Sequence, residues 1–121
     1  MATRCTITVS SSTERFHIYR HWDGHPDTVV PDILKALDFA HALPSFEAGD
    51  FAAALIRTMK SGPGNISLCA EPAANIDRAY HFDLKGEDQA WPRLRVIDTA
   101  AGDKVIFEGG LARAAGMVWR E

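Results

Sequence analysis

Residues 4–22 read RCTITVSSSTERFHIYRHW, and the alternation in this stretch decides the fold. Cys5, Ile7 and Val9 alternate with Arg4, Thr6 and Thr8, the two-residue period of a strand with one buried face. The polar run SSSTE then supplies a turn. From Arg15 the period resumes, placing Phe16, Ile18 and Trp22 on one side and His17, Tyr19 and His21 on the other. The stretch predicts an antiparallel hairpin with Trp22 in the core, closed at Asp23-Gly24.

Downstream of the hairpin the period changes. Val30, Ile33, Leu34, Leu37 and His41 repeat every three to four residues behind Pro31 and Asp32, which predicts a helix over Val30–Ala42, stopped by Pro44. Phe51, Leu55 and Met59 predict a second helix over Glu47–Lys60, with acidic residues at its start, Lys60 at its end, and SGPG after it. Four strand-like stretches follow: NISLCAE, IDRAYHFDLKG, PRLRVID and KVIFEG, with AAGD as a hairpin turn between the last two. A short helix around Leu111–Val118 closes the chain. The expected fold is a single α+β domain over 1–121, of order ββααββββ plus the short helix. A single antiparallel sheet of five to six strands would carry the two main helices on one face. The expected core comprises Ile7, Val9, Phe16, Ile18, Ile33, Leu34, Leu37, Phe51, Leu55, Tyr80, Phe82, Val96 and Phe107.

With 46% hydrophobic and 24% charged residues over 121 positions, the chain has the composition of a folded domain with a core of its own. No apolar run reaches the roughly 20 residues of a membrane span, and MATRCTITVS has no secretory apolar region, so a cytoplasmic location is expected. The net charge of −3 and the lack of a basic run argue against direct binding of duplex nucleic acid. Cys5 and Cys69 lie in separate apolar, strand-like stretches and read as buried reduced thiols.

The segment Phe16–Pro26, FHIYRHWDGHP, holds most of the chemistry. His17, Tyr19, His21, Asp23 and His25 are each two apart and would share one face if the strand ran on, which raises a zinc-type site. Against this, alternate positions on a straight strand lie about 6.5–7 Å apart, and Gly24 ends the extended conformation, so no metal and no cofactor are expected. His81 and Asp83 sit on the open face of a later strand and could meet His21 there. Arg20 shares the parity of the core residues and needs a partner, for which Asp23 or Asp27 is available, making RHWDG a structural clamp. Trp91 and Trp119 read as partly exposed, and Trp91 with Arg93 and Arg95 has the residue types of a protein contact surface. No GxSxG and no GxxxxGK[ST] is present.

The segment IYRHWDGHP, with LPSF beyond the following helix and a closing VIFEG, resembles a family of small uncharacterised phage- and prophage-associated proteins with a Tyr-Arg-His-Trp-Asp-Gly-Tyr-Pro-like segment after an early strand. His25 stands where that family has tyrosine. The resemblance implies a phage-related setting and carries no activity or site residue with it. The leading expectation is a non-enzymatic module that binds another protein, for example a phage-derived inhibitor of a host defence complex such as a CRISPR effector. Its candidate contact residues are Tyr19, Arg20, His21, Trp22, Asp23, His25, Trp91, Arg93 and Arg95, with no membrane partner, and a homodimer is compatible with it. One alternative is a small-ligand or nucleotide site at the strand-to-helix junction, built on Arg20, His21, Trp22 and His25. The other is a metal-dependent enzyme centred on His21, Asp23 and His25.

Overall fold

The computed structural model describes residues 3–11, 13–40, 47–84, 92–117 and 119. Its elements are β1 (Cys5–Ser10), β2 (Arg15–Arg20), α1 (Pro26–Ala36), α2 (Ala48–Met59), β3 (Ile66–Cys69), β4 (Arg78–Asp83), β5 (Arg93–Asp98), β6 (Lys104–Gly110) and α3 (Leu111–Ala115). A 3₁₀ turn at Thr99–Ala101 stands between β5 and β6 and is an element the sequence reading did not include.

The domain is α+β, with one six-stranded sheet of order β3-β2-β1-β4-β5-β6. β1 and β2 pair antiparallel with Ile7 opposite Ile18 and Val9 opposite Phe16. The expectation of a purely antiparallel sheet is corrected: β4 lies parallel to β1, with Ile7 beside Tyr80. The cause is the connection from β3. β3 pairs antiparallel with β2 at one edge, so it already points the same way as β1, and residues 70–77 carry the chain over β2 and β1 to a parallel position beyond them. So short a crossover is possible because β3 stops level with Thr8 while β4 starts level with Cys5, so the chain runs back only about 10 Å.

Positions in register point to the same face. One face therefore carries Ile7, Val9, Ile18, Tyr80, Phe82, Leu94, Val96 and Phe107, all buried against Val30, Ile33, Phe51, Leu55 and Leu111. Phe51 of α2 stacks on Phe82 of β4 with ring centroids 4.6 Å apart. Of the expected core, Phe16, Leu34 and Leu37 are partly buried and pack against it, and the others are buried.

Three local expectations are corrected. Helix α1 starts four residues early: His25 is extended, its carbonyl accepts from the N–H groups of Thr28 and Val29, and Pro26 suits the first helical position. It ends at Ala36 instead of Ala42; residues 41–42 of the expected span lie outside the described residues. Trp22, expected in the core, is 52% exposed. The strand stops at Arg20 because Asn65 captures the next two residues. Its side-chain oxygen accepts from the N–H groups of His21 and Trp22 at 3.2 and 2.8 Å, and Asp23 then adopts φ 62°. Gly24 is required at the bend, since a Cβ there would lie 2.6 Å from the Thr3 carbonyl oxygen.

A candidate anion-binding groove on the open face of the sheet

The face opposite the helices carries two rows of mostly polar residues. The register aligns Cys69, His17, Thr8, His81, Arg95 and Glu108 in one row across all six strands. The next row holds Arg15, Ser10, Asp83 and Arg93. The crossover packs on this face: the Ala73 N–H donates to Thr6 Oγ1 at 3.2 Å, and Thr6 and Thr8 are buried beneath it. Glu71 and Pro72 wall one side of a hollow of about 520 Å³ whose floor includes Thr8, Ser10, His17 and His81. A second hollow of about 290 Å³ continues from it past Asp83 and Arg93 to Arg95 and Glu108. Ser10, Arg15 and His81 line both, so the two form one groove.

Both histidines in this groove have their affinity for a proton lowered. His81 titrates below the ordinary imidazole range, first because it is desolvated, then because Arg95, Arg15 and His17 oppose a further positive charge. His17 is lowered by burial and by Arg15, with Glu71 working in the other direction. Its Nδ1 shares a 2.8 Å hydrogen bond with Thr8 Oγ1, which fixes the ring. Arg95 is paired with Glu108 through Nε at 3.0 Å, both side chains being about half exposed, and Asp83 is engaged in an interaction of its own. Arg15 and Arg93 are exposed and have no ion-pair partner among the described residues. The surroundings of His81 are thus electropositive and rich in donors.

Of the candidate residues from the sequence, the structure brings Arg93 and Arg95 to this groove and disperses the rest. Tyr19 lies on the same face one row away, its hydroxyl hydrogen-bonded to His21 Nδ1 at 2.7 Å. Arg20 lies on the helix face, and its partner is Asp32 of α1, not Asp23 or Asp27: Nη1 donates to Asp32 Oδ2 at 2.7 Å, and Nε to the Trp22 carbonyl at 3.0 Å. His25 Nε2 is bonded to Thr3 Oγ1 at 2.7 Å beside the start of α1. Asp23 is exposed on the bend, and Trp91 lies outside the described residues.

At the strand-to-helix junction, the place of the alternative small-ligand reading, Arg20 and His25 are engaged with Asp32 and Thr3. His21, Asp23 and His25 do not converge, and among the described residues no three His, Cys, Asp or Glu side chains meet in a way that could hold a metal ion. Nor does His21 join His81 and Asp83: it follows the end of β2, whereas His81 lies in the row of Thr8 and His17.

Ser10 and Arg15 carry no site signal in the sequence, and His17 and His81 are legible there only separately, His17 on the possible zinc face and His81 beside His21, not as neighbours of each other. The alternation of β1 and β2 places Arg15 and His17 on the open face, but only the parallel pairing of β1 with β4 brings His81 beside them. Cys69, expected to be buried, is only partly so, because it stands on the open face in the row of His17, while Cys5 is buried on the other face, where desolvation pushes its thiol up to about 12. No helix among the described residues is long and apolar enough to cross a membrane. Compared with protein-family models, curated proteins and solved structures, the chain matches none at a significant level.

Proposed function

We propose that the protein is a non-enzymatic binding module that contacts another protein through the groove on the open face of its sheet, and that the partner presents an acidic surface to it. The observation that carries this reading is the pair Arg15 and Arg93, which stand in one row across β2 and β5 without an ion-pair partner among the described residues. Three strand spacings, about 14 Å, separate their backbones. Arginine is favoured at protein interfaces because one side chain offers a planar fork of donors and an apolar stem. An unpaired arginine on each side of an open groove provides charge complementarity to carboxylates and speeds encounter with an acidic partner. The narrower form of the reading, a phage-derived inhibitor of a host defence complex, rests on the resemblance of the Tyr19–Pro26 segment alone.

The test is a comparison of two baits in the same host lysate: the wild-type chain and an Arg15→Glu/Arg93→Glu variant. Both residues are exposed, so the variant should fold as the wild type does. A protein retained by the wild type and lost by the variant, with the difference reproduced on purified components and diminished at raised salt, supports the reading. Identical captured sets would overturn it.

A further inference from the structure

We infer that the larger hollow contains a subsite for a single tetrahedral oxyanion of the phosphate type, held by Arg15, Ser10 and His81 with His17 beside them. This deepens the docking proposal above and rests on it for the biological source of the anion.

Ser10, Arg15 and His81 come from three adjacent strands, β1, β2 and β4, and line both hollows of the groove, so their donors approach a common volume from different sides. A planar carboxylate offers two oxygens in one plane and is satisfied by one guanidinium fork, whereas a phosphate offers oxygens to three directions at once. Thr8 lies beneath, bonded to His17 Nδ1, which leaves His17 Nε2 as the ring's other polar atom.

Charge gives the second line of argument. The charged and titratable groups that line the groove with His81 are His17 and Arg15 on β2, Asp83 on β4, Arg93 and Arg95 on β5, and Glu108 on β6, with Glu71 on the crossover; Cys69 on β3 and Tyr19 on β2 share the face outside the groove lining. Glu108 is paired with Arg95, Asp83 is engaged, and Glu71 is exposed at the outer wall. The electrostatic influences on the His81 imidazole come from Arg95, Arg15 and His17, and all disfavour its protonation. An anion seated there would relieve that repulsion and favour uptake of a proton by His81. By linkage, proton uptake and anion binding must then strengthen each other.

Inorganic phosphate is the probe, and the histidine ring carbon–proton resonances are the readout. Phosphate should move the His81 and His17 signals together with a Kd on the order of 1 mM. Affinity should rise as the pH is lowered from about 7.5 to about 6, where imidazoles charge. Arg15→Gln should weaken binding at least tenfold while leaving the melting temperature unchanged, and His81→Gln should abolish the pH dependence. A phosphoserine peptide that binds at least tenfold tighter than phosphate assigns the anion to the partner, and equal affinity assigns it to free phosphate; either supports the subsite. Unmoved His81 and His17 signals at about ten times the expected Kd, or an Arg15→Gln protein that binds like the wild type, would overturn it. Unmoved signals in a protein whose partner capture still needs Arg93 defeat the subsite alone. Phosphate binding with partner capture insensitive to Arg93 defeats the docking reading alone.

Discussion

Replacing Asp32 with Ala isolates the pair that anchors β2 to α1. The Arg20 side chain is 7% exposed and that of Asp32 25%, at a separation of 2.7 Å. Exposed ion pairs contribute about 0–1 kcal/mol, whereas removing one member of a buried pair costs about 3–5 kcal/mol because a charge is stranded without a partner. Asp32 retains some water, so the expected loss lies between these limits, at about 2–3 kcal/mol. For a chain of this length, about 1 kcal/mol moves the melting temperature by about 3–5 °C, so Asp32→Ala should melt about 6–15 °C lower. Asp23→Asn is the control: Asp23 is exposed, and Asn tolerates its φ of 62°, so stability should stay within about 0.5 kcal/mol. An Arg20→Met/Asp32→Leu protein should recover most of the loss, since an apolar pair of similar volume needs no charge compensation. Thermal and urea unfolding of the set are the assays. An Asp32→Ala protein that melts within about 2 °C of wild type, or an Asp23→Asn protein that loses as much as Asp32→Ala, refutes the assignment of Arg20 to Asp32.

Tyr80→Phe removes a buried hydroxyl that donates to the Gly24 carbonyl at 2.6 Å, and should cost about 1–3 kcal/mol in urea unfolding because the carbonyl is left unsatisfied. Ellman's reagent should react with Cys69 and not with Cys5 in the native protein, and with both in guanidinium; native labelling of Cys5, found by mass spectrometry, would contradict its burial. His17 and His81 both have folded-state pKa values below 6.5, so the unfolded chain binds more protons than the folded one as the medium is acidified. Their stabilisation is therefore complete above about pH 6.5 and is lost as the pH falls from there towards the folded values. Melting temperatures measured from about pH 7.5 to about pH 5 should fall more steeply for the wild type than for a His17→Gln/His81→Gln protein.

What could be read from the sequence was local. The alternation in residues 4–22 was enough for the β1–β2 hairpin, because a slip of one residue would turn Ile7 and Val9 away from the helices and Thr6 and Thr8 together with Arg4 towards them. The stripe Phe51, Leu55 and Met59 was likewise enough for α2, since its buried side is built from those residues. The same alternation misplaced Trp22. Parity holds only while the backbone stays extended, and the residue that ends the strand, Asn65, lies more than forty positions away and shows no local pattern. Arg20 was correctly read as buried and in need of a partner, but the start of α1 was set too late. With the helix beginning at Pro26, Asp32 falls beside the buried positions Val29 and Ile33, within reach of β2.

The groove depends on the one feature of topology that no local pattern encodes. An antiparallel meander would connect each strand to its neighbour by a short turn and leave the open face flat, with Thr8, His17 and His81 in water. Here the chain passes from β3 over β2 and β1 before entering the sheet again as β4, and that passage buries Thr6 and Thr8 and raises Glu71 and Pro72 as a wall. It also inserts β4 directly against β1, which sets His81 in the row of His17 and brings β5, with Arg93 and Arg95, to the far side of the groove. Partial cover lowers the affinity of both imidazoles for protons, and the flanking arginines lower it further. The chemistry of this face therefore follows from the path of residues 70–77, a segment whose own side chains are unremarkable in the sequence.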